Sequence, residues 1–272
     1  MTAVQTTPAV ERGPGRAARV LSLAGAEARL LLRNRTAVVN SVLLPLLLVA
    51  AIPVLGLDEG DVALGPSIIV SAAAITLVFL TYYNLVTTYV ARREELVLQR
   101  MRTGELTGPE VLLATAVPTL LVTVGQLVLV TIGVAALGEW SAPVEYVLPL
   151  VAVVGGAALM VLLAAASTAF TRTPESAQIT TLPLVVAATA LSGMFFPLDV
   201  LPGTLTTVAR LLPVTPITEL LRLGLTGTTW DGETVDAAGA WAAGLQPLAV
   251  LAGWLVLGAL AARTWFRWAP RR

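Results

Sequence analysis

Charged side chains are the ones best placed to do chemistry in this chain, and they are concentrated between residues 91 and 117. Eight of them lie close together between long uncharged runs: Arg92, Arg93, Glu94, Glu95, Arg100, Arg102, Glu105 and Glu110. If residues 91–102 form a helix, Val97, Leu98 and Met101 form an apolar patch on it, at spacings of three and four. The segment then suits either of two roles. It is a solvated hairpin whose arginines set membrane topology, or a docking element for a groove on a soluble partner.

Most side chains that carry enzymatic chemistry are missing from the chain. It contains no Cys and no His, and all 17 basic residues are arginine. The composition therefore excludes a thiol nucleophile, an imidazole base and a zinc site with Cys or His ligands. A Walker A loop requires a lysine, so the chain builds no P-loop for ATP. The net charge is zero, which gives no indication of a nucleic-acid partner.

The charged cluster must be positioned by membrane helices. Hydrophobic residues make up 56% of the chain and charged residues 12%, about half the usual charged share of a soluble domain. Six uncharged runs each exceed the roughly 20 residues that a helix needs to cross the hydrocarbon layer. We therefore predict an all-α membrane protein in one permease domain, residues 17–270. Its six transmembrane helices are expected at about 36–57, 62–91, 111–138, 146–171, 176–198 and 237–262.

The distribution of arginine predicts the orientation of these spans. Fifteen arginines lie in the two termini and in the loops after the second and fourth spans, whereas the alternate segments hold only Arg210 and Arg222. By the positive-inside rule, both termini are expected in the cytoplasm.

The N-terminal residues and the segment 92–108 are both predicted on the cytoplasmic side. Residues 1–16 are typical of a disordered tail, and residues 17–35 predict an amphipathic helix along the membrane interface or, alternatively, a charged flank of the first span. In the segment 92–108, Thr103 and Gly104 break the helix, and a capping box from Thr107 to Glu110 opens the third span.

The spans contain no titratable acid or arginine, which argues against transport coupled to protons or ions. They contain mildly polar side chains instead. Thr81, Asn84 and Thr88 share one face of the second span, and the third span carries threonines followed by Gln126. Two interpretations remain open: hydrogen bonds between helices, or a weakly polar lining for a passage.

The segment 199–227 lies on the predicted external side and is unusually apolar for a loop. It contains Pro202, Pro213 and Pro216 between apolar runs that are too short to cross the membrane. We predict short re-entrant helices that enter the outer leaflet before the last span.

Three stretches resemble the membrane subunits of type 2 ABC transporters, which are bacterial export permeases of the drug- and antibiotic-resistance kind. The first is EARLLLRNRTAVVNSVLLPLLL (27–48), similar to an interfacial helix that runs into the first span. The second is RREELVLQRMRTGELTGPEVLLA (92–114), and the third, more specific, is SGMFFPLDVLPGTLTTVARLLPVTPITELLR (192–222). The chain departs from the family's frequent Thr-Pro pair before the third span, where it has RTGELTG.

The resemblance implies a role for the charged cluster: a coupling helix that docks into a separate ATP-hydrolysing subunit. Coupling contacts would come from Arg93, Glu94, Glu95, Leu98, Met101 and Arg102. The interfacial helix would contact the same subunit through Glu27, Arg29 and Arg33. The translocation pathway would involve Asn40, Tyr83, Asn84, Thr88 and Gln126. The external gate would comprise Gly193, Phe196, Pro197, Pro202, Pro213, Pro216, Glu219 and Arg222.

The resemblance also implies the surroundings of the chain. It would be a non-enzymatic permease in the bacterial plasma membrane, and its six spans would make half a transporter. Two copies, expected to form a homodimer in membrane lipid, would work with two ABC ATP-binding subunits that hold ATP and Mg²⁺. The cargo would be a hydrophobic or amphipathic drug-like molecule, and the alternative is a lipid-linked or polysaccharide substrate. A channel or an intramembrane enzyme is disfavoured because the spans lack a charged ring, a filter and catalytic groups.

Overall fold

The computed structural model describes residues 25, 64–98, 107–194, 198 and 201–268. All regular elements within these ranges are helices, and the only β-contact among them is an isolated antiparallel bridge between Thr228 and Thr234. The predicted all-α class is confirmed for this part of the chain. The predicted tail 1–16, the interfacial helix 17–35 and the first span 36–57 lie outside the described residues, apart from Gly25.

The described helices follow one another in a simple order. The first long helix has three consecutive parts, which are α1, a π-helical segment and α2. The bounds are α1 Leu64–Ile75, the π-helical segment Thr76–Tyr83, α2 Asn84–Glu94, α3 Gly108–Ala136, α4 Val147–Ser167, α5 Ala177–Leu191, α6 Gly203–Arg210, α7 Thr215–Thr226 and α8 Ala237–Trp265.

Four helices within the described ranges are long and apolar enough to cross a membrane: Leu64–Glu94, Gly108–Ala136, Val147–Ser167 and Ala237–Trp265. They correspond to the predicted second, third, fourth and sixth spans. The predicted fifth span, 176–198, contains a shorter apolar helix of 15 residues, α5. It ends at Leu191 because Gly193 adopts a left-handed φ of 73°, which an α-helix does not continue through. Four long helices and one shorter apolar helix are thus observed where five of the six spans were predicted.

Local sequence explains where the third and sixth spans begin. The predicted capping box of α3 is confirmed: the Glu110 carboxylate accepts a hydrogen bond from the Thr107 backbone N–H at 2.7 Å. Asp236 caps α8, where its carboxylate accepts from the Gly239 backbone N–H at 2.8 Å. These caps satisfy N–H groups that have no partner within their own helix.

Helix α4 is the central element of the described bundle, and α7, α8 and the π-helical segment all pack against it. Small residues allow the close approach. A Cβ on Gly156 would meet Ile217 and Leu77 at 2.9–3.0 Å, and one on Gly224 would collide with Pro149. Without a hydrophobic driving force between helices in lipid, such close van der Waals packing is a main source of stability.

The π-helical segment spans eight residues, longer than the single π-turns that usually interrupt α-helices. It contributes hydroxyl groups to two neighbouring helices. The Thr81 and Thr123 hydroxyls are 2.8 Å apart, and the Tyr82 hydroxyl lies 3.0 Å from the Ser167 hydroxyl. The segment is therefore tied to the middle of α3 and to the last residue of α4.

Candidate functional site

The first candidate site is the turn that follows the second span, and it departs from the predicted helix 91–102. Helix α2 ends at Glu94, and Glu95 and Leu96 form a turn closed by a hydrogen bond from the Leu96 N–H to the Arg93 carbonyl at 3.1 Å. Leu96 has a φ of 60°, a left-handed conformation that a branched apolar residue rarely adopts. Helical structure resumes at Val97. As far as Leu98, the last described residue here, the predicted helix is therefore interrupted by a tight turn.

The turn exposes different side chains from those expected. Glu94, Glu95 and Leu96 are exposed, whereas Leu98 is fully buried in the chain's own core. Leu98, one residue of the predicted apolar patch, therefore packs within the bundle and is not exposed to a partner. Leu96, which the sequence reasoning passed over, is the exposed apolar side chain of the turn. Met101 and Arg102 lie outside the described residues, so their predicted contacts stay predictions.

Arg93 was predicted to contact a partner, but its side chain is fully buried inside the chain. Its guanidinium donates hydrogen bonds to the carbonyls of Thr168, Thr171 and Arg172, at 2.9, 2.7 and 3.2 Å. Its Nε lies 3.6 Å from a carboxylate oxygen of Glu94. Arg93 therefore connects the exposed turn to the segment between α4 and α5.

The electrostatics of this connection are favourable. Thr168 is the C-cap of α4, and the final carbonyls of a helix carry partial negative charge and lack partners within the helix. A planar guanidinium supplies several donors in fixed directions, which suits a cluster of carbonyls better than a lysine ammonium does. The adjacent pair Arg92-Arg93 at the end of a span was the available sequence signal, but it did not reveal which arginine turns inward.

The predicted pathway residues fall into two groups. Tyr83, Asn84 and Thr88 are all partly exposed and belong to one stretch of the second span, at the junction of the π-helical segment and α2. Gln126 lies apart from them on α3, where it is 1% exposed, and no hydrogen-bond partner reaches either atom of its amide within the described structure. Asn40 lies outside the described residues. The structure thus brings three of the five residues together and separates Gln126.

The segment predicted as an external gate is anchored at its start to the first long helix and to α7. The Ser71 hydroxyl donates to the Met194 carbonyl at 2.6 Å, and the Thr218 hydroxyl donates to the Ser192 carbonyl. Between them, Gly193 has a φ of 73° and lies against the indole ring of Trp230. Phe196 and Pro197 lie outside the described residues. This backbone is held by specific hydrogen bonds rather than by apolar packing alone.

The remaining gate residues lie at the ends of two short helices or within one of them. Pro202 is the N-cap of α6, and Pro213 lies between α6 and α7. Pro216 occupies the first turn of α7, where its missing N–H is not needed. Arg222 of α7 is buried, with its guanidinium carbon 4.5 Å from the centroid of the Trp230 ring, a cation–π geometry. Trp230 is therefore the shared neighbour of Arg222 and Gly193, and sequence reasoning did not single it out.

Glu219 gives this region a titratable group. It lies in α7, outside the four long helices, and burial raises the pKa of its carboxyl from 4.5 to about 7, although the nearby Arg210 guanidinium opposes this shift. Arg210 also lies 3.4 Å from a carboxylate oxygen of Asp231.

We expect this pKa to make stability depend on pH. Between pH 4.5 and 7 the folded protein keeps the Glu219 proton and the unfolded chain loses it. The stabilisation is fully present below pH 4.5 and is lost as the pH rises through 7. Thermal unfolding in detergent from pH 5.5 to 8 should show a loss on the order of 1 kcal/mol, allowing for partial exposure. Glu219→Gln should make the stability less dependent on pH. An unchanged slope of stability against pH in this variant would contradict the role of Glu219.

The four long apolar helices and the glycines at which they pack closely are features of an integral membrane protein. The family model described as ABC-2 family transporter protein matches residues 38–263, which is most of the chain. The chain therefore belongs to the ABC-2 family, and the predicted type 2 ABC permease identity is confirmed. Membership implies a transmembrane transport subunit that works with an ABC ATP-binding subunit. A search of curated proteins finds no match.

Proposed function

We propose that the chain is the membrane subunit of an ATP-driven exporter that moves a hydrophobic or amphipathic molecule, of the drug or antibiotic kind, out of the cytoplasm or inner leaflet. Family membership supports the transport role. Away from the ends of the described spans, their polar groups are mostly hydroxyls and amides, which suit a passage for weakly polar cargo. In this proposal the chain lies in the bacterial plasma membrane with both termini in the cytoplasm, and ATP and Mg²⁺ belong to the partner subunit.

The observation that carries the proposal is the turn Glu94–Leu96 and its attachment through Arg93. Two carboxylates and one apolar side chain project from the end of a long helix, a combination suited to a groove with basic edges. The same turn is bonded to the segment between α4 and α5 through Arg93. A displacement of the turn by an ATP-binding partner would therefore act on two spans at once. Arg93 positions the turn, and the exposed side chains make the contact.

Two copies of the chain would form the transporter in this proposal. Tyr83, Asn84 and Thr88 are partly exposed on the isolated protomer, so they remain accessible for a passage between copies. The segment around Gly193 and the helices α6 and α7 would then form the external gate above that passage. The hydrogen bond from Ser71 to the Met194 carbonyl would transmit movement of the second span to the gate, and the bond from Thr218 to the Ser192 carbonyl would pass it to α7.

The double substitution Glu94→Arg with Glu95→Arg tests the contact. We expect the ATP-binding subunit to be lost on co-purification and export to fall at least tenfold, because like charges then face the basic edges of its groove. Membrane insertion should be unchanged because both side chains are exposed. Glu233→Arg, exposed near the start of α8 at the opposite end of the bundle, is the matched control. Normal co-purification and export by the double variant would remove the coupling role from this turn.

Reconstitution tests the proposed energy source. Vesicles that contain the chain and its ATP-binding subunit should accumulate an amphipathic dye only when ATP is present. Vesicles that contain the chain alone should show no uphill movement, because the chain lacks the lysine of a P-loop. Uphill transport by the chain alone would overturn the proposed function.

A further inference from the structure

A large apolar groove lies between α3, α4 and α8, and its lining includes no residue of the turn, of the polar stretch Tyr83–Thr88 or of the gate segment. Its volume is about 1050 Å³, at the upper end of the range of roughly 300–1,000 Å³ for small-molecule sites. Its walls are deepened by small side chains, among them Ala157 and Ala158 of α4 and Ala259 of α8. Leu113 of α3 and Val154 of α4 are 48% and 60% exposed beside it, so the groove is open to the surrounding membrane.

The walls of this groove offer almost no polar contacts. Among the described lining residues, Thr123 is the only one with a hydroxyl, and that hydroxyl is already hydrogen-bonded to Thr81 and to the Thr119 carbonyl. The sole charged lining residue in this part of the chain is Arg263, at one end of the groove. Within the described ranges Arg263 is exposed and forms no ion pair. An occupant with an apolar body and one anionic end matches this arrangement.

Aromatic rings line the end of the groove where Arg263 lies. The Phe266 and Trp268 rings meet edge to face with centroids 4.8 Å apart, and Phe266 meets Tyr89 in the same way at 6.2 Å. Trp268 also packs on Gly108, where a Cβ would approach the ring to 2.7 Å. Tryptophan and arginine together are typical of the membrane–water interface, where an indole and a snorkelling guanidinium meet lipid headgroups. The arginine distribution assigns this end of α8 to the cytoplasmic side.

The length of the groove matches one leaflet. Along α4 it extends from Val153 to Ala165, roughly 18 Å at the helical rise of about 1.5 Å per residue. Half of a hydrocarbon core of about 30 Å is roughly 15 Å. An acyl chain whose headgroup lies beside Arg263 would therefore extend along the groove to about the bilayer midplane.

We infer that this groove binds one anionic phospholipid of the inner leaflet, with an acyl chain along α4 and its phosphate on Arg263. The site does not depend on the direction of transport or on the cargo. The phosphate of either headgroup accepts two parallel hydrogen bonds from a guanidinium. A zwitterionic headgroup also carries a cation that repels the arginine, so the arginine favours an anionic headgroup.

The test is native mass spectrometry of the full chain in detergent, titrated with phosphatidylglycerol or with phosphatidylcholine. Wild type should retain one phosphatidylglycerol in preference to phosphatidylcholine. Ala158→Trp, which fills the open groove from an exposed position, should weaken this binding at least tenfold. Arg263→Gln should weaken it roughly tenfold, the loss expected for a charge-assisted hydrogen bond, and should abolish the headgroup preference.

Two matched controls locate the effect. Leu260→Trp introduces the same indole at an exposed position of α8 outside the groove lining, and Arg267→Gln removes an exposed charge near the same end. Both should retain lipid as wild type does. Equal binding by Ala158→Trp and Leu260→Trp, or an unchanged headgroup preference in Arg263→Gln, would overturn the inference. Two further results for Ala158→Trp would also overturn it. Loss of the dimer would mean that a second copy of the chain occupies the groove. Loss of dye export with lipid still bound would mean that the cargo occupies it.

Discussion

Replacing Arg93 by alanine is expected to destabilise the protein by about 2–3 kcal/mol and to reduce ATP-driven export at least tenfold. Three carbonyls, on Thr168, Thr171 and Arg172, lose their charged donor. The carbonyls of Thr168 and Thr171 accept their bonds in the buried interior, where no water replaces the guanidinium. The turn Glu94–Leu96 also loses its attachment to the segment between α4 and α5. Thermal unfolding in detergent measures the first effect, and dye accumulation in vesicles measures the second.

The neighbouring arginine provides the control for this experiment. Arg92 is partly exposed, and its replacement by alanine should cost less than about 1 kcal/mol, the usual limit for a surface charge. Arg93→Lys should fall between wild type and alanine, because an ammonium keeps the charge but not the fixed fork of donors. The ATP-binding subunit should still co-purify with Arg93→Ala, since Glu94 and Glu95 remain exposed. Full export by a destabilised Arg93→Ala variant would limit this arginine to a structural role.

Gly193→Ala is expected to cost about 2–4 kcal/mol, the sum of two independent penalties. The backbone φ of 73° is unfavourable for any residue with a Cβ. That Cβ would also overlap the Trp230 ring, so the indole that covers Arg222 must move. Thermal unfolding in detergent should show the loss, and dye export should fall with it because the proposed gate segment begins here.

A double-mutant cycle separates the two penalties. Trp230→Leu removes the overlapping ring atoms, so Gly193→Ala should cost less in that background, where only the backbone strain remains. Gly203→Ala is the matched control, because it starts a helix with open space around the added Cβ, and it should be neutral or slightly stabilising. Equal losses for the two glycine substitutions would contradict both penalties, and an unchanged cost of Gly193→Ala in the Trp230→Leu background would remove the contribution of the ring contact.

The sequence predicted the features that depend on local rules. The helical class follows from long uncharged runs, and the start of α3 follows from Thr107 and Glu110, whose capping contacts involve neighbours three residues apart. The bounds of the predicted second, third, fourth and sixth spans lie within a few residues of the long helices that are observed there.

Features that depend on tertiary contacts were not predictable in this way. Whether Arg92 or Arg93 turns inward depends on where the carbonyls at the end of α4 lie, 75 or more residues away in sequence. The burial of Leu98 depends likewise on the packing of the bundle. Leu96 was passed over because continuous helical spacing does not place it in the apolar patch. Its left-handed backbone changes the direction in which the following side chains point. Which side chains point into the bundle depends on contacts between helices that are distant in sequence, and composition does not encode those contacts.

The π-helical segment has a consequence for how this protein tolerates changes of length. Removing one residue from Thr76–Tyr83 would rotate the part of the helix after it relative to Ser71 by about the turn of one residue, which is roughly 100° in an α-helix and less in a π-helix. Ser71 holds the Met194 carbonyl at one end of this long helix, and Arg93 holds the Thr168 carbonyl at the other. Both attachments are met only at the present residue count. Across this span, relatives should differ by substitution and not by insertion or deletion.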